Sequence, residues 1–357
     1  MKRIAFIIGL FIWAQLHAQD VGAKDSLLFF SADNALIRYT GRIDFSNKLA
    51  PRFWSPGVYV EARFEGGDCD VIINDEELYG KHNYIEVVVD GRAQRLQTTG
   101  RQNVVRVAQG LSNRVHSLLI CKNTESNIGW LELAGIRCRK LVQLPPAPVR
   151  KMEFIGNSIT CSAGSDLSAV PCGTGQWHDQ HNAYMSYGAL TARALNAQWQ
   201  LTAVSGIGLM HSCCGLEILM PQVFDKIQLR TDSIAWDFSR YQPDVVTVCL
   251  GQNDGVQDSA VFCSRYIDFL GRLRKVYPKA TLICLSSPMA DAGLDAVLRR
   301  YIIAIVAASH GRGDKNVHSF FYSKRYYHGC DSHPDLEEHK EMAEELTGFI
   351  KKLKGWK

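Results

Sequence analysis

The sequence predicts two domains in series, an all-β sandwich followed by an α/β domain built on a parallel sheet. Three observations carry this prediction. Short alternating segments with turn residues between them fill residues 34–144, a proline-rich stretch follows at 145–148, and apolar strands alternate with amphipathic helices from residue 151 onward. The chain of 357 residues is also longer than most single domains, which run to about 200 residues.

The first 18 residues have the pattern of a secretory signal peptide. Lys2 and Arg3 precede an apolar run at 4–16, and the small residue Ala18 offers a cleavage site. The run is too short for a bilayer core, which needs about 20 residues, so a cleaved signal is favoured over a membrane anchor. We therefore expect a secreted or periplasmic protein with no membrane span in the mature chain.

Composition and charge exclude several classes of partner. With 46% hydrophobic and 21% charged residues, the chain has the composition of an ordinary globular protein. The formal net charge is +4, and two of these charges belong to the predicted signal peptide, so no nucleic-acid partner is indicated. The 11 Cys include no CxxC pair and no His-rich cluster, which argues against a zinc site.

The cysteines allow one prediction about disulfides and one about buried thiols. Cys161 and Cys172 are spaced to close a short loop in an oxidising compartment. Cys249 and Cys284 lie in apolar runs that look like strands, so we expect buried thiols there. Because the number of Cys is odd, at least one thiol stays unpaired within the chain.

We assign residues 19–144 to the β-sandwich domain and residues 145–150 to a proline-rich linker. The predicted strands are Gly57–Phe64, Cys69–Ile73, Tyr84–Val89, Val104–Ala108 and Val115–Cys121. Gly66-Gly67 and Asp90-Gly91 are predicted turns between them. The linker follows because proline fixes the backbone and has no N–H to donate to a strand ladder.

We assign residues 151–357 to the α/β domain. Its predicted strands are Lys151–Ile155, Trp199–Val204, Val245–Leu250, Thr281–Leu285 and Val317–Phe321. Its predicted helices are Tyr184–Ala194, Ala260–Val276, Leu294–Ala308 and a closing helix from about Leu336 to Leu353. A parallel sheet of this kind binds its ligands at the carboxyl ends of the strands.

Four short segments fall at predicted strand ends or at a helix start. They contain Ser158, Gly206, Asn253 and His333, in that order along the chain. A serine beside a histidine base can attack a carbonyl, and a Gly amide with an Asn side chain can stabilise the resulting oxyanion. Each residue also has an ordinary structural explanation, because Ser caps helices, Gly and Asn form turns, and His can simply precede a helix. The joint occurrence of all four favours a serine hydrolase.

These segments resemble the sequence blocks of the SGNH hydrolases, the superfamily that includes the GDSL esterases. The matching residues are Gly156-Asn157-Ser158, Gly206, Gly251-Gln252-Asn253-Asp254 and Asp331-Ser332-His333-Pro334. The upstream segments 52–57 and 84–91 are similar to the jelly-roll module of the carbohydrate esterase family 2 acetylesterases. The resemblance implies a flavodoxin-like SGNH hydrolase domain preceded by a jelly-roll sandwich, with no metal ion or other cofactor.

The resemblance also implies roles for single residues. Ser158 is expected to be the nucleophile and His333 its base. The oxyanion hole is expected to consist of the backbone amides of Ser158 and Gly206 together with the side chain of Asn253. These roles define an acyl-enzyme mechanism.

The residue that orients His333 departs from the usual pattern. Most of the superfamily has an Asp three residues before the His, but that position is Cys330 in this chain. Asp331 lies two residues before His333 and can take the role, because alternate side chains of an extended segment leave on the same side. A backbone carbonyl is the alternative, and we favour a Ser–His dyad over a triad with Asp331.

The segment between Ser158 and Tyr184 is an insert at the ligand-binding end of the predicted sheet. It carries Trp177 and His178, which we predict to line the cleft and to contact a sugar ring. The alternative is a surface loop packed by its own aromatic side chains.

The predicted function is a secreted serine esterase that removes acetyl groups from polysaccharide or oligosaccharide. One alternative is a lipase or thioesterase of the same fold, because this catalytic set hydrolyses many esters. The appended β domain argues against it. A second alternative is a carbohydrate-binding protein with an inert catalytic domain, which Asn157 suggests because Asp is more usual there. Retention of Ser158, Asn253 and His333 argues against that alternative.

Overall fold

The structure is a computed structural model that describes residues 27–230 and 234–357. The predicted signal peptide, residues 1–18, lies outside the described residues and stays a prediction. No helix within the described ranges is long and apolar enough to cross a bilayer.

The N-terminal module is an antiparallel nine-stranded sheet. Its strands are β1 (Leu28–Ser31), β2 (Arg38–Thr40), β3 (Arg52–Phe53), β4 (Tyr59–Asp75), β5 (Tyr84–Val89), β6 (Arg92–Gln97), β7 (Gln102–Ala108), β8 (Val115–Lys122) and β9 (Leu131–Leu141). The first half of β4 pairs with β2 and β8, whereas its second half pairs with β7 and β9. The prediction of an all-β N-terminal domain is confirmed.

The long strand β4 differs from the prediction of two strands separated by a turn at Gly66-Gly67. The register of β4 against β9 shifts between Glu65 and Cys69, so the glycines form an irregularity within one strand. Gly66 has φ 107°, which a glycine adopts without strain. The side chains of Val60, Ala62 and Phe64 alternate toward the core of this module, as expected for a strand with one buried face.

The second half of the chain forms a parallel five-stranded sheet. Its strands are β10 (Arg150–Gly156), β11 (Ala197–Ala203), β12 (Val245–Val248), β13 (Thr281–Leu285) and β14 (Val317–Phe320), in the spatial order β11-β10-β12-β13-β14. Its helices are α1 (Ser158–Cys161), α2 (Tyr187–Ala194), α3 (Met220–Val223), α4 (Ser259–Val276), α5 (Ala292–Gly311) and α6 (Leu336–Lys354). The predicted parallel α/β fold is confirmed.

The order in which the chain adds strands to the sheet reverses at β10. β11 lies on one side of β10 and β12 on the other, so the crevice at their carboxyl ends is the switch point where such sheets bind ligands. All four residues of β12 are buried, because helices cover both faces of the sheet. The start of α6 is fixed by a capping box between Asp335 and Glu338, directly after the predicted His block.

Buried contacts join the two sheets. Arg42 of the N-terminal module forms an ion pair with Glu153 of β10 at 2.9 Å, and both side chains are fully buried. The rings of Tyr59 and Trp199 stack with centroids 3.9 Å apart, and the Trp199 indole N–H donates to the Gly57 carbonyl. Removing one partner of a buried ion pair costs about 3–5 kcal/mol because the other charge is left unpaired, so loss of either Arg42 or Glu153 would destabilise the contact between the module and β10.

Candidate active site

Ser158 lies at the switch point, as the first residue of α1 directly after the turn that follows β10. The turn before it is so tight that a Cβ atom at Gly156 would lie 2.1 Å from Thr160 Oγ1. Only glycine avoids this clash. Asn157 caps α1, since its side chain accepts a hydrogen bond from the Ile159 amide at 3.2 Å. Ser158 is therefore not the cap, and the structural explanation of Ser158 as a capping residue is wrong. Its side chain instead lines a cavity and makes contact with His333.

His333 is within hydrogen-bond distance of Ser158. The His333 Nε2 atom lies 2.8 Å from Ser158 Oγ, and its Nδ1 atom lies 3.1 Å from the backbone oxygen of Cys330. A carbonyl can only accept, so Nδ1 carries the proton and Nε2 is free to accept one from the serine. Burial lowers the pKa of His333 below its ordinary value, although the Cys330 carbonyl and the charge of Asp331 oppose this shift. The ring is thus neutral at neutral pH, as a general base requires.

The structure does not bring Asp331 to the Nδ1 atom of His333. A contact of Asp331 with the ring would need an extended segment, but Asp331 and Ser332 have φ values of 51° and 59°. In this left-handed turn the side chains of Asp331 and His333 do not leave the backbone on the same side, and Asp331 is exposed. The Cys330 carbonyl accepts the hydrogen bond from Nδ1 instead. Among the described residues no hydrogen bond joins the Asp331 carboxylate to the ring. Asp331 lines the cavity, and both its charge and its backbone raise the pKa of His333.

The two further oxyanion-hole candidates lie beside Ser158. Gly206 follows β11 with φ 81°, a conformation that favours glycine, and a side chain there would meet the Cys213 carbonyl at 3.3 Å. The Asn253 amide nitrogen donates to the Ile207 carbonyl at 2.8 Å, and its oxygen accepts from the Cys213 thiol at 3.4 Å. These bonds fix the amide plane and leave one N–H of Asn253 for an oxyanion. Both candidates line the same cavity as Ser158.

Asp254 stabilises the loop that follows Gly206 by accepting hydrogen bonds from its backbone amides. The sequence did not lead us to predict this role. Its carboxylate accepts hydrogen bonds from the amides of Leu209, Met210 and His211 at 3.0, 2.7 and 3.0 Å. The loop after Gly206 is thereby tied to the loop after β12. Its position next to Asn253 in the Gly251–Asp254 block was the signal that could have found it.

The cavity has a volume of about 800 Å³, and residues of both halves of the chain line it. Leu78, Tyr79 and Asn127 come from the N-terminal module and face the cavity together with Ser158 and His333 of the α/β domain. Tyr79 is 88% exposed, and no motif in the sequence marked it. The N-terminal module is therefore part of the site.

The two predicted substrate-binding residues of the insert have different positions. Trp177 lines the cavity with 43% of its surface exposed. His178 is 1% exposed and lies outside the cavity lining, with its ring against that of Tyr84 at a centroid distance of 6.5 Å. The structure gives His178 a packing role, because its ring is enclosed by the insert and the N-terminal module. Burial lowers the pKa of His178 in keeping with this position.

The disulfide pairing differs from the predicted one. Cys172 bonds to Cys330, with Cα atoms 5.3 Å apart, whereas Cys161 is a buried free thiol. Cys161 belongs to α1 and its thiol donates to Glu125 at 3.3 Å, so it points away from the exposed Cys172. The prediction of buried thiols at Cys249 and Cys284 is confirmed. The disulfide links the insert to the residue whose carbonyl orients His333.

Two family models match the chain. Residues 39–148 match the carbohydrate esterase 2 N-terminal domain, and residues 154–323 match the GDSL-like lipase/acylhydrolase family. The fold and the residues at the switch point thus define a GDSL-like acylhydrolase with an N-terminal β module.

Known proteins narrow the class to one family. The chain is 32% identical to a family two carbohydrate esterase from Clostridium thermocellum, solved with cellohexaose; the match covers 90% of this chain and 100% of that one, with a TM-score of 0.83. It is 27% identical to an acetylxylan esterase / glucomannan deacetylase of Cellvibrio japonicus, over 91% of each chain. It is also 34% identical to the cellulase/esterase CelE of Acetivibrio thermocellus, over 91% of this chain but only 40% of the length of CelE. The chain belongs to carbohydrate esterase family 2.

Proposed function

We propose that the protein is a secreted esterase that removes acetyl groups from carbohydrate, with Ser158 as nucleophile and His333 as base. The observation that carries this proposal is the contact of 2.8 Å between Ser158 Oγ and His333 Nε2, in a ring whose other nitrogen is held by a backbone carbonyl. The relatives whose names include acetylxylan esterase support acetyl as the acyl group.

Acylation starts with neutral His333. Its Nε2 takes the hydroxyl proton as Ser158 Oγ forms a bond to the acetyl carbonyl carbon, and the carbonyl electron pair moves onto oxygen. The imidazolium then gives that proton to the sugar oxygen as the bond between the acetyl carbon and the sugar breaks. This sequence leaves acetyl-Ser158 and a free sugar hydroxyl.

Deacylation repeats these steps with water in place of the serine. His333 takes a proton from water, the hydroxide oxygen adds to the acetyl carbon, and the tetrahedral intermediate expels Ser158 Oγ, which recovers the proton. Acetate leaves and the enzyme returns to its starting state. Both tetrahedral intermediates place negative charge where the amides of Ser158 and Gly206 and the side chain of Asn253 can donate hydrogen bonds.

The cavity walls support carbohydrate as the alcohol part of the substrate. Trp177 from the insert and Tyr79 from the N-terminal module expose large aromatic surfaces at the cavity. Aromatic rings pack against the apolar faces of sugar rings, so these two side chains are suited to contact a carbohydrate. A volume of about 800 Å³ accommodates sugar units beyond the acetylated one.

A substrate panel tests the acyl and alcohol specificity. Acetate release is measured from acetylated xylan, acetylated glucomannan and acetylated pectin, while fatty acid and thiol release are measured from a triglyceride and an acyl thioester. We expect the largest kcat/KM with one of the acetylated polysaccharides. A larger kcat/KM with the triglyceride or thioester would show that the protein is a lipase or thioesterase instead.

Export is tested on the full chain. Expressed with its own N-terminus in a bacterial host, the protein is expected outside the cytoplasm with a sequence that begins at Gln19. A cytoplasmic protein that retains residues 1–18 would contradict secretion.

A further inference from the structure

Glu125 connects the N-terminal module to two of the three segments that build the oxyanion hole, those of Ser158 and Gly206. It lies in the connection between β8 and β9 and is fully buried. One of its carboxylate oxygens, Oε2, accepts a hydrogen bond from the Ser205 backbone amide at 2.6 Å and another from the Cys161 thiol at 3.3 Å. Ser205 directly precedes Gly206, and Cys161 belongs to the same helical turn as Ser158.

The Gly206 amide needs such a support. Gly206 has no side chain to restrain it, so its backbone has more freedom than that of any other residue type. On its C-terminal side the Gly206 carbonyl accepts from the Cys213 amide at 2.9 Å. On its N-terminal side the nearest restraint is the bond from Ser205 to Glu125. The two bonds hold the peptide units on either side of the one that carries the Gly206 N–H.

Glu125 is itself held firmly. The ammonium group of Lys122, which is also fully buried, donates to the carbonyls of Thr124 and Glu125 at 2.7 and 3.1 Å.

The second carboxylate oxygen of Glu125, Oε1, has no hydrogen-bond partner within the described part of the chain, and the His181 Nε2 atom lies 4.0 Å from it. Burial raises the pKa of Glu125, whereas the Ser205 amide opposes this shift. Burying a carboxylate oxygen without a hydrogen-bond partner costs free energy.

We propose that Glu125 is a positioning residue for the oxyanion hole. It restrains the backbone at Ser205, which precedes Gly206, and the helical turn that contains both Cys161 and Ser158. The inference rests on the proposed esterase mechanism. It assigns a residue of the N-terminal module a part in the chemistry of the α/β domain. Glu125 touches neither the substrate nor the reacting atoms, so it acts through the backbone amide of Gly206.

Two substitutions of nearly equal size separate alignment from packing. Glu125→Met fills the same volume but cannot accept from the Ser205 amide, whereas Glu125→Gln keeps an acceptor oxygen. With an aryl acetate as substrate, we expect Glu125→Met to lower kcat about 10- to 100-fold with KM within about twofold, because a misplaced donor weakens only the transition state. Glu125→Gln should keep kcat within about threefold of wild type, since an amide oxygen accepts the same bond.

Ser158→Ala is measured beside them, and thermal unfolding reports whether each variant is folded. A kcat of Glu125→Met within about threefold of wild type would overturn the inference, as would a Glu125→Gln variant as slow as Glu125→Met. If Glu125→Met does not fold, Glu125→Asp decides, because its shorter side chain cannot reach Ser205 and its kcat should fall; an unchanged kcat would again overturn the inference. Retained activity of Ser158→Ala would instead refute the proposed mechanism, so the two failures are distinguishable.

Discussion

The substitution Asp331→Asn distinguishes two ways of orienting His333, by a carboxylate or by a backbone carbonyl. Asn keeps the size of Asp331 and tolerates its φ of 51°, so the turn is preserved while the charge is removed. In the structure the Nδ1 atom of His333 bonds to the Cys330 carbonyl at 3.1 Å, and this bond survives the substitution. We therefore expect kcat to fall less than about tenfold, a loss below about 1.4 kcal/mol in transition-state stabilisation. A triad Asp would give a loss of about 10,000-fold, as in serine proteases.

The pH dependence gives a second readout of the same substitution. The charge of Asp331 raises the pKa of His333, so its removal lowers that pKa further. The enzyme needs neutral His333 and is active above this pKa, so the acid limb of kcat/KM should move to lower pH in Asp331→Asn. The assay is the rate of aryl acetate hydrolysis between about pH 4 and pH 8.

Asp268→Asn serves as the control, because Asp268 is an exposed carboxylate on α4 outside the cavity lining. It should change neither kcat nor the acid limb. A loss of more than about 100-fold in Asp331→Asn at every pH, or an acid limb that moves upward, would refute the assignment of the orienting role to the Cys330 carbonyl.

Three further predictions follow from the site. Ser158→Ala and His333→Ala should each abolish most activity, and the double variant should lose little more, because the two side chains act as a unit; additive losses would contradict this. Cys172→Ala should lower kcat several-fold, because loss of the disulfide releases the segment whose Cys330 carbonyl orients His333. Dithiothreitol should slow the wild type but not this variant. Equal slowing of both would exclude this role for the disulfide. Asp254→Ala should lower the free energy of unfolding by about 2 kcal/mol or more in urea denaturation, because one buried and two partly buried amides lose their acceptor; a change below about 1 kcal/mol would contradict that role.

The convergence of Ser158, Gly206 and Asn253 could be predicted because each follows a strand of a parallel sheet. The carboxyl ends of β10, β11 and β12 lie side by side, so residues just beyond them must lie close together. The period of the apolar residues was enough to locate these strands, and β13 has the predicted bounds Thr281–Leu285. Local sequence patterns are therefore enough to predict at which edge of the sheet these three residues meet.

The features that escaped prediction depend on long-range contacts or on single backbone angles. The partner of Cys172 is 158 residues away in sequence, and no local pattern identifies it. The position of Asp331 depends on two consecutive left-handed residues, which the sequence around His333 does not signal. Glu125 and Tyr79 belong to the other half of the chain and reach the site only through the packing of the two sheets.

Acetate release from acetylated xylan and acetylated glucomannan, measured for the wild type and for Ser158→Ala, decides whether Ser158 is the nucleophile of a carbohydrate acetylesterase. We expect the wild type to release acetate and Ser158→Ala, with unchanged thermal unfolding, to be slower by more than about 1,000-fold, since only binding and the oxyanion hole remain. Release by a folded Ser158→Ala at a rate within about tenfold of wild type would contradict the assignment of Ser158 as the nucleophile.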